Sequence, residues 1–229
     1  MKSLLAFLRS SIGKKVLMSL TGLFLCIFLV EHLVGNLLLL KDDGGVLYEA
    51  YAEFLVANPF IRTMEFVLFA ALLGHALSGV IVWLENRRAR PNNYDVYKLN
   101  ENTPFASRIT MVSGSVIFLF LVVHLRTFFV PTRLGDDHSS LYFLVQQAFS
   151  NAWYSAFYIL ALVVLGYHLR HGFQSAFQTL GIRGKRYEGL LNAVAFLFWF
   201  VIPLGFAIIP VYFYFFRPAA ATAVTMGVL

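Results

Sequence analysis

Five long apolar runs alternate with short polar segments along the chain. The runs cover residues 16–40, interrupted only by Glu31, and residues 66–84, 109–125, 141–169 and 190–216. Each can supply the roughly 20 residues that an α-helix needs to cross a bilayer. Because backbone polar groups in lipid must be paired within their own segment, helices are the only suitable assignment for such runs. The pattern predicts transmembrane helices over approximately residues 15–40, 61–85, 106–130, 148–178 and 189–216.

The composition agrees with a membrane protein that carries no soluble domain. Hydrophobic residues make up 59% of the 229 positions and charged residues only 13%, which leaves too little polar surface for a soluble fold. We therefore predict an all-α chain, with residues 1–229 forming one transmembrane domain as a five-helix bundle. Cys26 is the only cysteine, so that the chain can form neither an internal disulfide nor a covalent C-x-x-C-H haem attachment.

Lysine and arginine are distributed unevenly between the two ends of the predicted bundle. They cluster before the first span, between the second and third spans, and between the fourth and fifth spans, whereas the other two connections are rich in carboxylates. By the positive-inside rule the N-terminus is cytoplasmic and the C-terminus lies outside, in a multi-pass protein of the inner (cytoplasmic) membrane. The net charge of +6 reflects this bias and does not indicate nucleic-acid binding. The basic loops suit a protein partner or acidic membrane lipid.

Four of the six histidines lie one each in the first four spans: His32, His75, His124 and His168. Ionisable side chains inside a membrane are costly and usually functional. Neutral imidazole is also the commonest metal ligand among side chains. Four histidines on four helices are what two bis-histidine haems enclosed by the bundle would need, and any such haem would be non-covalent.

The depth of each histidine follows from its distance along the helix to the basic loops. His32 and His124 lie 17 and 16 residues from the cytoplasmic ends of their spans, which corresponds to about 25 Å. His75 lies 12 residues from Arg87, or about 18 Å, and His168 comes late in a span that runs inward. The counting predicts an outer pair, His32 with His124, and an inner pair, His75 with His168.

Two further histidines must be considered as alternative ligands. His138 lies in an acidic outer loop, where a solvated side chain explains it. His171 is three residues after His168 and roughly on the same face of the helix. It is either the ligand in place of His168 or a hydrogen-bond donor near the haem propionates, and we favour His168 as the ligand.

Glycines follow three of the four histidines at helical spacing. Gly35 is three residues after His32, while Gly79 and Gly172 are four residues after His75 and His168. Residues at this spacing share a helix face, so that the glycines could leave room for a porphyrin edge. The alternative is close packing between membrane helices, for which glycine is commonly used.

Three segments resemble a known family. The stretches HLVGNL from His32, YAEFLVANP from Tyr51 and HLRHGFQSAFQTLG from His168 are similar to the di-haem cytochrome b anchor of succinate dehydrogenases and fumarate reductases. The resemblance is to the branch with a single five-helix subunit. It implies one ligand on each of helices one to four, with helix one paired to three and two to four. In this family a glycine follows the fourth ligand by four residues, which matches His168 rather than His171.

The resemblance implies a function that is shared with other subunits. A flavoprotein and an iron–sulfur subunit would dock on the cytoplasmic face and carry out the dicarboxylate chemistry, and electrons would pass through the two haems to a membrane quinone, usually menaquinone. The alternative is the reverse direction, as the anchor of a quinol:fumarate reductase. Less favoured are another membrane cytochrome b, and a histidine-relay transporter, for which no convincing internal repeat is present.

The resemblance also directs attention to polar residues around each haem. A quinone near the outer haem would need a carboxylate, and Glu49 and Glu53 are the natural candidates by position, with Glu31 and Glu65 weaker ones. Candidate contacts for the inner haem propionates are Ser19, Arg108, Gln178 and His171, each also explicable as a polar residue at the membrane boundary. Some fumarate reductases carry a glutamate two residues before the fourth ligand. That position is Gly166 here, which mildly favours succinate oxidation.

Overall fold

The computed structural model describes residues 6–7, 9–88, 110–135 and 140–218, and within these ranges the regular structure is helical with no strand. Five helices are long and apolar enough to cross a membrane: Ser11–Leu40, Pro59–Arg88, Thr110–Leu134, Ala152–Thr179 and Lys185–Phe216. We number them as spans one to five. The predicted all-α bundle with five transmembrane helices is confirmed.

The ends of the spans depend on short polar residues that an apolar pattern does not weigh. Span one begins at Ser11 because the hydroxyl of Ser10 accepts a hydrogen bond from the backbone N–H of Gly13 at 3.0 Å. The apolar run 141–169 is divided into a short helix, Leu141–Phe149, and span four. The division falls at Asn151, whose side chain accepts the N–H groups of Trp153 and Tyr154 and starts a new helix.

Two short helices cover one end of the bundle, which we call the loop-helix end. The first is Val46–Ala57, between spans one and two, and the second is Leu141–Phe149. The Glu49 carboxylate joins them by accepting hydrogen bonds from the Ser140 hydroxyl at 2.5 Å and the Tyr142 N–H at 2.7 Å. Beneath them lies a buried cluster of side chains from the loop helices and spans: Leu39, Tyr48, Val145, Phe149, Tyr158, Ile209 and Phe213.

Spans three and five each contain one π-helical turn, Leu125–Phe129 and Leu197–Val201. Each turn lies just before a proline, Pro131 or Pro203, which has no N–H to give to the carbonyl four residues earlier. In span five that carbonyl belongs to Trp199. A β-carbon on Gly166 of span four would stand only 2.7 Å from the Trp199 oxygen. Spans four and five therefore approach closely at a position that only glycine fits.

Candidate functional site

The structure brings the four membrane-embedded histidines together as two pairs. The ring centres of His32 and His124 are 5.9 Å apart, with an angle of 82° between the ring planes. Those of His75 and His168 are 6.2 Å apart, with an angle of 79°. These are the two pairs that residue counting predicts, and His168 rather than His171 meets His75. The ligand role of the four rings stays a prediction.

Hydrogen bonds fix the tautomer of both rings in the inner pair. Nδ1 of His75 lies 3.1 Å from the carbonyl oxygen of Met18, which can only accept, so Nδ1 carries the proton. Nδ1 of His168 lies 3.2 Å from the Ser113 hydroxyl. That hydroxyl donates to the carbonyl of Thr110 and is therefore an acceptor for the ring. Both rings keep Nε2 as a lone-pair donor, which is the arrangement found in metal-ligating histidines.

The outer pair has unequal support. Nδ1 of His124 lies 3.0 Å from the hydroxyl of Tyr158 in span four. Nδ1 of His32 lies 3.4 Å from the amide nitrogen of Asn36, which donates to the His32 carbonyl at 2.7 Å. Since an amide nitrogen is a donor, His32 gains no acceptor from Asn36. The His32 ring is held by aromatic contacts instead. Its centre lies 5.1 Å from that of the stacked Phe28 ring and 5.6 Å from that of Phe206.

The donor set of each pair fits a haem. Among the described residues there is no group of three or more His, Cys, Asp or Glu that could hold a metal ion by itself. Haem iron takes four nitrogens from its macrocycle and needs only axial ligands from the protein. When two imidazoles bind the same metal atom, each through a nitrogen about 2 Å from it, their ring centres are roughly 6 Å apart. Both pairs match this spacing, and Nδ1 of three of the four rings lies within hydrogen-bond distance of an oxygen atom.

Two glycines that the sequence reasoning missed lie against the inner pair. A β-carbon on Gly22 would stand 3.0 Å from Cε1 of His75, and one on Gly114 would stand 3.5 Å from Cε1 of His168. Gly22 precedes His32 by ten residues, and Gly114 precedes His124 by ten residues. This repeated interval was the available signal. At helical rise it places the two pairs about 15 Å apart along the bundle.

The three glycines for which haem clearance and helix packing are both open have different surroundings. A β-carbon on Gly35 would stand 2.5 Å from Cε1 of Tyr51, so this glycine admits the loop helix. At Gly79 the nearest atom is the Met18 sulfur at 3.9 Å. Around a β-carbon on Gly172, no described atom beyond its chain neighbours and its own helix backbone lies within 4 Å. Open space next to a predicted ligand therefore occurs beside His168, while Gly35 serves packing.

The candidate propionate contacts are spread over the basic end of the bundle. Ser19 is buried in span one, His171 is partly buried, and Gln178 is exposed in the last turn of span four. Arg108, like His138, lies outside the described residues. Among the described residues, no hydrogen bond joins Ser19, His171 or Gln178 to His75 or His168, so their role stays a prediction.

The four candidate carboxylates lie at the loop-helix end in different environments. Glu49 is occupied by its bonds to the second loop helix, and Glu65 pairs with Arg62 at 2.8 Å and Arg133 at 3.7 Å. Glu53 is exposed on the first loop helix. Glu31 directly precedes His32 in span one and accepts a hydrogen bond from the Tyr51 hydroxyl at 2.7 Å. Burial, and then this bond to Glu31, raise the pKa of Tyr51 to about 12.

A helical bundle with five helices that are long and apolar enough to cross a bilayer defines an integral membrane protein. The family of succinate dehydrogenase/fumarate reductase transmembrane subunits matches residues 84–208, which is more than half of the chain. The chain belongs to this family and is a multi-pass membrane anchor subunit. His124 and His168 fall inside the matched region, while His32 and His75 precede it. No curated protein and no solved structure matches the chain.

Proposed function

We propose that the chain is the membrane anchor and electron-transfer subunit of a succinate:quinone oxidoreductase and binds two haems b. His32 and His124 would ligate the outer haem, and His75 and His168 the inner haem. The observation that carries the proposal is the pairing of the rings, whose centres lie 5.9 and 6.2 Å apart. In three of the four rings Nδ1 is hydrogen-bonded to an oxygen atom. Bound haem supplies one-electron redox chemistry. The chain's own side chains orient it and exclude water.

The partners of this function are proposed from the family and the charge distribution. Exposed basic residues lie at the end opposite the loop helices: Lys15, Arg87, Arg88, Lys185 and Arg186. This end is the cytoplasmic one in our proposal and would dock the iron–sulfur subunit, which in turn carries the flavoprotein. Electrons would enter at the inner pair, about 15 Å from the outer pair. The protein would reside in the inner (cytoplasmic) membrane.

A quinone, with menaquinone as the first candidate, would react at the loop-helix end beside the outer pair. Of the predicted carboxylates, Glu49 is held between two loop helices, so that its structural role competes with a role in proton transfer. Glu53 is exposed on the same helix. Glu31 is adjacent in sequence to His32 and is hydrogen-bonded to Tyr51. We propose Glu53 and Glu31 ahead of Glu49 as the groups that handle protons during quinone turnover.

Haem content and ligand substitution test the proposal. A pyridine haemochrome assay on the purified complex should give two haems b per chain. His32→Ala and His124→Ala should remove the same spectral component, and His75→Ala and His168→Ala the other one. His171→Ala is the matched control and should retain both haems. A wild-type chain without haem would refute the cytochrome proposal, and loss of haem in His171→Ala would reassign the fourth ligand.

The family also includes anchors of fumarate reductases, and one observation bears on whether the complex oxidises succinate or reduces fumarate. The close approach of the Trp199 carbonyl leaves no space for a side chain at Gly166, where some fumarate reductases carry a glutamate. This supports succinate oxidation as the physiological direction. The ratio of succinate oxidation to fumarate reduction, measured with the purified complex and a menaquinone analogue, tests the assignment.

A further inference from the structure

The outer-pair ligand His124 begins a closed circuit of hydroxyl groups that links spans three and four. Nδ1 of His124 lies 3.0 Å from the Tyr158 hydroxyl, which lies 3.2 Å from the Tyr154 hydroxyl. Tyr154 in turn donates to Thr127 at 2.9 Å. Thr127 lies in the π-helical turn that directly follows His124, and its hydroxyl donates to the carbonyl of Val123 at 3.0 Å. The circuit therefore returns to the helix from which it started.

The direction of each hydrogen bond follows from the single proton on each hydroxyl. Thr127 gives its proton to a carbonyl and so accepts from Tyr154. The Tyr154 hydroxyl is placed to donate either to Thr127 at 2.9 Å or to Tyr158 at 3.2 Å, and its single proton goes to Thr127, the nearer partner. The bond between the two tyrosines then uses the Tyr158 proton. The Tyr158 oxygen is thus an acceptor for the Nδ1–H of His124. Every donor in the circuit is used, and Nε2 of His124 keeps its lone pair.

We propose that Tyr158, supported by Tyr154, is a positioning residue that lowers the reduction potential of the outer haem relative to what His124 alone would give. An acceptor on Nδ1–H makes the imidazole a more basic ligand, and this favours the oxidised iron. A chain of polarised hydrogen bonds strengthens the effect. Among the described residues, His32 has no comparable acceptor for Nδ1, so the hydrogen-bond effect on the outer-haem potential acts through His124 alone. This inference rests on the proposed haem ligands.

Redox titration of the haem absorbance in the purified complex tests the inference. Tyr158→Phe keeps the buried ring and removes only the acceptor. We expect the outer-haem potential to rise while the inner-haem potential stays constant. The rise should correspond to a roughly 2- to 10-fold shift of the equilibrium from oxidised to reduced outer haem, which is what one hydrogen bond is worth. Tyr154→Phe should shift the same haem in the same direction by less, because Tyr158 then loses its own acceptor.

Two controls separate tuning from packing. Tyr48 is as buried as Tyr158, each being 6% exposed, and belongs to the same apolar cluster without contacting a histidine of either pair. Tyr48→Phe should move neither potential. Ser113→Ala removes one of two hydrogen-bond partners of the His168 ring, the other being the Thr110 backbone, and should raise only the inner potential. If Tyr158→Phe loses haem, the change of the outer-haem potential in Tyr154→Phe tests the inference instead.

The inference is overturned if the tyrosine variants retain two haems with unchanged potentials, or if both haems shift equally. Absence of haem from the wild-type complex would instead refute the proposed function. The two failures are therefore distinguishable.

Discussion

Gly22 of span one lies directly against the imidazole of His75 on span two: a β-carbon at position 22 would stand 3.0 Å from Cε1 and 3.2 Å from Nδ1. The same Nδ1 is bonded to the Met18 carbonyl of span one. Span one therefore sets both the proton position and the free space of a ring that belongs to its neighbour.

Replacing Gly22 with alanine should weaken the binding of the inner haem. The added methyl group must displace the His75 ring and loosen its bond to Met18, and loss of such a supporting contact typically costs about 10-fold in affinity. Haem retention during titration with an apo-haem acceptor measures this. Gly74→Ala is the matched control, because its nearest neighbour is the Thr21 methyl group at 3.9 Å. Equal haem retention in the two variants would contradict the expectation.

Gly172 tests where a haem edge lies. No described atom beyond the chain neighbours and the helix's own backbone is within 4 Å of a β-carbon built there. The Gly172→Leu chain should therefore fold normally when no cofactor is bound. If the inner haem occupies that space, the variant should lose the inner haem and keep the outer one. Gly189→Leu, at a similarly open position on span five, should keep both haems. Retention of two haems in Gly172→Leu would place the porphyrin elsewhere.

Gly166→Ala should destabilise the bundle. The obstructing atom is the Trp199 carbonyl oxygen at 2.7 Å, and backbone cannot rotate away as a side chain can. We expect a loss of about 1–3 kcal/mol, as is usual when a packed site is overfilled. Thermal unfolding in detergent measures the change, with Gly189→Ala as the control. A glutamate at position 166 should be tolerated even less, and a stable Gly166→Glu variant would show that spans four and five can separate.

Glu49→Ala should loosen the loop-helix end. The substitution removes one acceptor from the Ser140 hydroxyl and the Tyr142 N–H, and in this partly exposed position we expect a cost of about 1 kcal/mol. Protease cleavage between residues 140 and 150 should become faster. Glu53→Ala changes a carboxylate on the same helix that is exposed, and its cleavage rate should match that of the wild type.

The hydrogen bond between Tyr51 and Glu31 gives a pH signature. Burial and the carboxylate raise the pKa of Tyr51 from about 10 to about 12, so the protonated phenol is favoured in the folded state. Its contribution to stability is complete below pH 10 and is lost as the pH rises through 12. The difference in phenolate absorbance between the wild type and Tyr51→Phe reports this titration. Glu31→Gln should lower the midpoint, and an unchanged midpoint would leave burial as the sole cause.

The sequence was sufficient for the spans and for the histidine pairing, because depth along a helix is linear in residue number. His32 and His124 could be placed at one level by counting from charged loops. Counting does not reveal how each helix is rotated about its axis. The contacts of Tyr158 with His124 and of Gly22 with His75 depend on that rotation, so that they appear only in the folded bundle. The break at Asn151 was missed because one short polar residue hardly changes an apolar run.

The ten-residue interval from Gly22 to His32, repeated from Gly114 to His124, gives spans one and three two duties each. One end of the interval offers a histidine to the outer pair, and the other offers a gap to a ring of the inner pair. Inserting or deleting one residue would turn these ends by about 100° relative to each other. The length of this interval is therefore fixed by both histidine pairs. A change of length in one helix would disturb the outer and the inner pair at the same time.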